Sequence, residues 1–289
     1  MFELFIRTLT QGLIYALLSF GIYITYKILD FPDLTVDGSF PLGAAVTAVL
    51  ITKGVNPYLT IPAAMAAGAL AGLCTGLIHV KLKVRDLLAS IITMTALFSI
   101  NLQIAGSNLS IIGEDTIFTL VPLGSMKLMY RKLIVTAVIV IFFKIVLDLY
   151  FETKSGFLLR GTGDNENVIT TIAVDSGNVK ILGLVIANSL VALSGAIVCQ
   201  EQRAFSATMG TGQLVFGLAA VIIGITVFRR MSFVKGTTAA ICGSTIYKFC
   251  IQAALSLGLP ANLLKLITAV LFLVILMIGN IGKKGGRVS

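Results

Sequence analysis

The feature that most constrains this chain is its series of long apolar runs. A hydrocarbon core about 30 Å thick takes roughly 20 apolar residues per spanning helix. Thr8–Ile28, Pro57–Val80, Leu87–Ala105, Leu133–Phe151, Ile181–Cys199, Thr237–Leu257 and Leu263–Gly279 all read as spans. Of the 289 residues, 57% are hydrophobic and only 12% charged. A soluble domain is about one-quarter charged, so this chain cannot coat a water-facing surface. The expected fold is an all-α integral membrane protein: a polytopic helix bundle of about eight or nine transmembrane segments, two of them short or broken. Residues 1–289 then form a single transmembrane domain. Met1–Phe31 shows no cleavage site, so Thr8–Ile28 reads as a retained first span.

The net charge of +9 would raise the question of nucleic acid in a soluble chain. Here the charge is pooled: Lys81, Lys83 and Arg85; Arg229, Arg230 and Lys235; Lys283, Lys284 and Arg287. Basic residues in short loops collect on the cytoplasmic side, so the clusters report topology and no nucleic-acid partner is expected. An even number of crossings separates each cluster from the next, with the polar interval 152–180 on the same side. By that count Met1 lies outside and Asp30–Ser39 approaches from the cytoplasm. The expected location is the cell membrane, with lipid around a multi-pass protein.

Few residues suggest chemistry. Cys74, Cys199, Cys242 and Cys250 fall in or beside apolar spans without metal-ligand spacing and read as small hydrophobes between helices. His79 reads as an interfacial histidine, and Lys144 and Asp148 as an i,i+4 ion pair. Lys248 lies inside a span and either snorkels or faces a cavity. With no catalytic constellation and no metal or cofactor site expected, the chain is not read as an enzyme.

Two places break the helical pattern. Asp30-Phe31-Pro32-Asp33-Leu34-Thr35-Val36-Asp37-Gly38-Ser39 leads into a short apolar stretch, Phe40–Thr52, and a second break, Gln200–Gly212, leads into Gln213–Phe228. Broken segments persist at membrane depth only when buried in protein or lining a cavity. The carboxylates have two readings: helix caps, with Asp37 or Ser39 as N-cap, or a pathway gate formed by Phe31, Asp33, Asp37 and Phe40. Gly38–Val46 also resembles Gly212–Val221, entering from the opposite face, as an inverted repeat would. The match is short, and chance in an Ala/Gly-rich chain accounts for it equally well.

The interval Glu152–Lys180 contains a short potential helix, Asn165–Ala173, and the turn Val174-Asp175-Ser176-Gly177. Its residues Gly161, Asp164, Asn165, Glu166, Ala173, Asp175 and Lys180, followed by Ser189, Leu193 and Gly195, resemble the cytoplasmic loop of ABC importer permeases of the branched-chain amino-acid/ribose family. Asp33-Leu-Thr-Val-Asp-Gly-Ser-Phe-Pro-Leu-Gly-Ala-Ala is similar to the segment before that family's short second helix. The likeness runs from about Gln11 to Gly279, nearest the tryptophan/tyrosine-type subgroup. It implies a homodimeric permease carrying a small-molecule substrate, an amino acid of aromatic or branched-chain type. It also implies two partners, an ATP-binding subunit inside and an extracytoplasmic substrate-binding protein outside, the latter received by Gly106–Tyr130 and Gln200–Gly212. The coupling contacts would be Gly161, Asp164, Asn165, Glu166 and Asp175, with Val168, Ile169, Ile172 and Ala173 on the docked helix. No Gly-x-x-x-x-Gly-Lys-Ser/Thr motif occurs, so ATP hydrolysis falls to a separate subunit. The alternative is an ion-coupled secondary transporter using Asp33, Asp37 or Lys248.

Overall fold

The computed structural model describes residues 2–122, 126–164, 175–229, 231 and 234–257, and beyond these 263, 266, 268–270, 273, 274 and 277. Among the described residues, five helices are long and apolar enough to cross a membrane. They are α1 (Phe2–Ile22, continued as a wider π-helical turn Tyr23–Ile28), α3 (Pro57–Val80), α4 (Asp86–Ala105), α6 (Leu128–Glu152) and α8 (Ser176–Gln202). Two shorter apolar helices, α2 (Val36–Thr52) and α9 (Gln213–Val227), follow the two sequence breaks. A 21-residue helix, α10 (Gly236–Ser256), carries Lys248. Short helices α5 (Ile117–Leu120) and α7 (Lys154–Asp164) lie in the polar intervals. The expected last span, 263–279, falls largely outside the described residues.

Burial sorts the helices into layers. Of the most apolar window in α1 and in α8, 72% is buried, against 17% in α6. Helices α1 and α8 therefore form the centre, and α6 shows most of its surface to lipid. Ile141, Phe142, Ile145 and Leu149 on α6 are all exposed, as a lipid-facing stripe should be.

The centre is assembled through small residues. A methyl group on Gly68 or Gly72 of α3 would collide with the backbone of α8 at Asn188 or Leu184, and one on Gly76 would press on Ile181. Spaced four apart, these glycines form one stripe that lets two backbones touch. Beside α3, Gly43 of α2 lies on Ala192, and Gly195 of α8 lies on the Phe40 carbonyl. Lipid tails are as apolar as leucine, so close van der Waals contact of this kind is what holds helices together in a bilayer.

The ends of the bundle sort by charge. At one end Lys235 pairs with Glu152 at 2.9 Å, Gly177 meets Val80, and Gly163 of α7 packs on the Ile28 backbone. The 81–85 cluster, Lys235, the 152–164 interval and the Asp30–Thr35 turn thus share an end. At the other end, two polar intervals meet in a ribbon absent from the sequence reading. Strands β1 (Asn108–Ser110) and β2 (Ala204–Ser206) pair antiparallel with Leu109 opposite Phe205. Gln200 extends that junction: its amide oxygen accepts from the Ile117 N–H (2.9 Å) and its amide nitrogen donates to the Thr60 hydroxyl (3.1 Å).

Several sequence expectations need correction. Helix α8 starts at Ser176, not Ile181, because the Asp175 carboxylate accepts from the Gly177 N–H (2.9 Å) and caps it. Helix α6 starts at Leu128, not Leu133, and α1 at Phe2, not Thr8. Of the cysteines, Cys199 is buried as expected, but Cys74 and Cys250 are on the outer surface. Substituting leucine for Gly72 is expected to cost more than about 2 kcal/mol through overpacking. Thermal unfolding of the purified protein in detergent measures this, and Leu70→Ala on the exposed face of the same helix should stay within about 0.5 kcal/mol of the parent.

Candidate functional site

The residues singled out in the first sequence break are drawn together by hydrogen bonding. Asp30 adopts a left-handed conformation (φ 52°) at the surface and turns the chain. The chain then enters the bundle, where Asp33 is only 1% exposed. One oxygen of its carboxylate accepts from the Thr35 N–H (2.9 Å), and the other from the side-chain amide of Asn188 on α8 (2.8 Å). The Asn188 oxygen in turn accepts from the Ser39 hydroxyl at 2.7 Å. Thr35 also bonds the Thr75 hydroxyl of α3 (2.8 Å). The first turn of α2 is thereby tied to α8 and α3 by side chains, all buried. Buried polar groups that are fully satisfied rigidify and specify a site.

Asp37 departs from its expected role. The N-cap position of α2 is Thr35, and Asp37 lies within the first turn. Its carboxylate caps a different helix: one oxygen accepts from the Gly212 N–H (3.0 Å) and the other from the Leu214 N–H (2.8 Å), both at the start of α9. Ser39, the other cap candidate, is engaged with Asn188. A carboxylate at a helix N-terminus meets both unpaired N–H groups and the positive end of the dipole. The starts of the two broken helices therefore lie side by side, and Gly210 fits against the Asp37 carbonyl and Pro41 because it lacks a side chain. Asn101 of α4 closes the junction by donating to the Gly38 carbonyl (3.1 Å).

Aromatic rings surround this junction. Phe40, fully buried, stacks on Tyr15 of α1 with ring centroids 5.9 Å apart. Tyr15 lies 4.8 Å from Phe216 of α9, and Phe216 lies edge-on to Tyr247 of α10 at 4.9 Å. The Lys248 ammonium sits 3.5 Å from the Tyr15 ring centroid and 4.9 Å from that of Phe216. Phe31 lies apart from this group, buried and edge-on to His79, whose Nδ1 bonds the Val84 carbonyl at 2.9 Å. Of the four gate candidates, Asp33, Asp37 and Phe40 thus belong to one hydrogen-bonded and aromatic assembly.

The basic end carries a second assembly. The Lys144–Asp148 pair closes at 2.6 Å, as its spacing predicts. Asp148 also accepts from the Thr237 hydroxyl, and Lys235 bridges to Glu152. The hydrogen bond that Lys235 donates to Glu152 raises the Lys235 pKa. Asp148, Glu152, Lys235 and Thr237, with Lys27, Arg160 and Asp164, line an open cavity of about 450 Å³. Of the expected coupling residues, Gly161 and Asp164 lie on α7, Asp164 as its last described residue, and Asp175 caps α8. Asn165, Glu166, Val168, Ile169, Ile172 and Ala173 lie outside the described residues.

Reading the sequence alone missed Asn188, Asn101, Tyr15 and Phe216. Asn188 carried a usable signal: a side-chain amide in the middle of an apolar span is costly unless bonded. The rings carried none, since aromatic residues are ordinary filling in any apolar helix.

A helical bundle whose centre holds two interrupted helices meeting start to start has the construction of a membrane transport protein. Its family is shown by comparison: the chain belongs to the family described as branched-chain amino acid transport system / permease component, whose model matches residues 4–278. It is 42% identical over 280 residues to the tyrosine transport system permease protein of Clostridioides difficile, covering 96% of this chain and 91% of the relative. An uncharacterized protein of Rickettsia prowazekii is 30% identical over 277 residues, covering 94% and 96%. The ribose import permease protein RbsC of Escherichia coli K12 is 24% identical over 255 residues, covering 86% and 77%. The chain is a permease component of an ABC-type transport system, as the sequence resemblance implied, and not an enzyme.

Two substitutions test the central assembly. Asn188→Leu strands the Ser39 hydroxyl and one Asp33 oxygen, and should cost about 1–3 kcal/mol for each stranded group. Asp37→Ala should cost about 1–2 kcal/mol by uncapping α9. Asp37→Asn, which keeps one acceptor oxygen, should recover part of that loss. Thermal unfolding in detergent reads all three, and an Asn188→Leu protein as stable as the parent would contradict the network.

Proposed function

We propose that this chain is the membrane-spanning permease of an ATP-driven importer for an aromatic amino acid, working as a homodimer in the cell membrane. The observation that carries the reading is the near full-length similarity to a tyrosine transport permease. The aromatic lining around Tyr15, Phe40 and Phe216 agrees with such a cargo. The basic end faces the cytoplasm by the positive-inside rule. There the 152–180 interval docks on the ATP-binding subunit, through Gly161, Asp164, Asn165, Glu166 and Asp175 and the apolar anchors Val168, Ile169, Ile172 and Ala173. At the other end, the ribbon of 108–110 and 204–206 belongs to the surface that receives a substrate-binding protein.

Transport on this reading is a change of packing, not of covalent bonds. Closure of the ATPase dimer displaces the 152–180 interval, and α6 and α8, which flank it, carry the motion inward. Helix α8 bears Asn188, so its movement acts directly on the Asp33–Ser39 junction. Phe31, Asp33, Asp37 and Phe40 then form the gate. About eight or nine crossings and an inverted repeat relating α2 to α9 complete the proposal.

Reconstitution tests it. Proteoliposomes containing the chain, its ATPase and its binding protein should take up labelled tyrosine only with ATP. Charge reversal at both Asp164 and Glu166 should abolish uptake while leaving ATP hydrolysis. Uptake by the isolated chain in response to an ion gradient would instead establish the secondary-transporter reading.

A further inference from the structure

The carboxylates in and around the bundle interior are already held by specific partners. Asp33 is held by Thr35 and Asn188, and Asp37 by the first turn of α9. Asp148 is bonded to Lys144 and Thr237, and Glu201 to Lys132 at 2.8 Å. Lys248 is different. Its ammonium lies over the rings of Tyr15 and Phe216, with no carboxylate and no hydrogen-bond acceptor among the described residues. The Glu201 carboxylate is committed to Lys132.

Contact with an aromatic face offsets only part of the cost of placing a lysine at the centre of a membrane helix. The rings position the charge, therefore, but do not fully compensate it. The ammonium also faces open space. A cavity of about 300 Å³ is lined by Tyr15, Gly212, Gln213, Phe216 and Lys248, at the lower end of the range for small-molecule sites. It combines a lysine amine that has no carboxylate partner among the described residues with aromatic walls, and it adjoins the junction where α2 and α9 begin.

We infer that this cavity is a cargo site in which Lys248 pairs with the α-carboxylate of a bound aromatic amino acid, whose ring packs beside Tyr15 and Phe216. The inference rests on the amino-acid reading of the cargo and deepens it: selectivity for a carboxylate resides in the permease and not only in the binding protein. The carboxylate supplies the missing counter-charge, and the lysine gives up a cation–π contact for a stronger charge-assisted hydrogen bond. The same exchange leaves Tyr15 and Phe216 free to receive the ring.

Binding to the full purified chain, without ATPase or binding protein, tests the site independently of how transport is driven. The probes are L-tyrosine, 3-(4-hydroxyphenyl)propionate, which keeps the carboxylate but lacks the amine, and tyramine, which lacks the carboxylate. At millimolar concentration the first two should raise the thermal unfolding temperature and tyramine should not. In Lys248→Met that discrimination should vanish, while Lys248→Arg should retain it. Equal shifts with tyrosine and tyramine, discrimination that survives in Lys248→Met, or no shift with any probe would each overturn the inference. In proteoliposomes of the assembled transporter, Lys248→Met should lower tyrosine uptake at least about tenfold, as expected for removing one partner of a buried charge pair, with uptake preserved in Lys248→Arg. Uptake without ATP would sink the importer reading yet leave the binding result standing, so the two failures are distinguishable.

Discussion

The structure depends on one requirement of a low-dielectric interior: a helix that begins inside it must find acceptors for its first N–H groups. Each unsatisfied group costs several kcal/mol in hydrocarbon. Helix α2 begins in the buried centre and α9 begins beside it at the more exposed Gly212, and two aspartates meet the requirement. Asp33 accepts from the start of its own segment, and Asp37 reaches across to α9. Because Asp37 rides on α2 while serving α9, the two broken helices are mechanically linked at their starts. Neither can shift far alone without breaking those bonds.

Helix α8 is the body against which this pair is set. Its glycine-mediated contacts with α2 and α3 bring backbones together, and Asn188 adds directional bonds at the same level. Packing through small residues permits sliding with little steric penalty, whereas the Asn188 bonds favour one register. A transporter needs both properties, since it must hold one arrangement and then exchange it for another. The ion pairs of the basic end, where α6 meets α10 through Glu152 and Lys235, place a second, more exposed set of breakable contacts where a cytoplasmic partner would act. Exposed pairs contribute little to stability and are cheap to rearrange.

The sequence revealed the helices well and the junction poorly, for physical reasons. Apolar length is a direct requirement of the bilayer, so Pro57–Val80 matched its helix at both ends. Errors fell at starts such as Ser176, where polar residues cap or extend a helix beyond its apolar core. The first break was legible from Asp30, Pro32, Asp33 and Asp37, but the partner of Asp37 was not. A cap normally serves its own helix, and nothing local in the sequence points to Gly212, 175 positions away. The β1–β2 ribbon was hidden similarly: three-residue strands carry no periodicity. Lys248 itself was visible, but the rings that hold it become distinctive only once three helices are assembled.

The account stands on the claim that the start of α9 is held by the Asp37 carboxylate. Hydrogen exchange resolved at residues 210–216, in the lipid-reconstituted protein, measures that directly. The claim predicts slow exchange for the Gly212 and Leu214 amides, comparable to the interior of α8. Exchange as fast as that of an open polar loop would contradict it, since those amides would then be meeting water in place of the carboxylate.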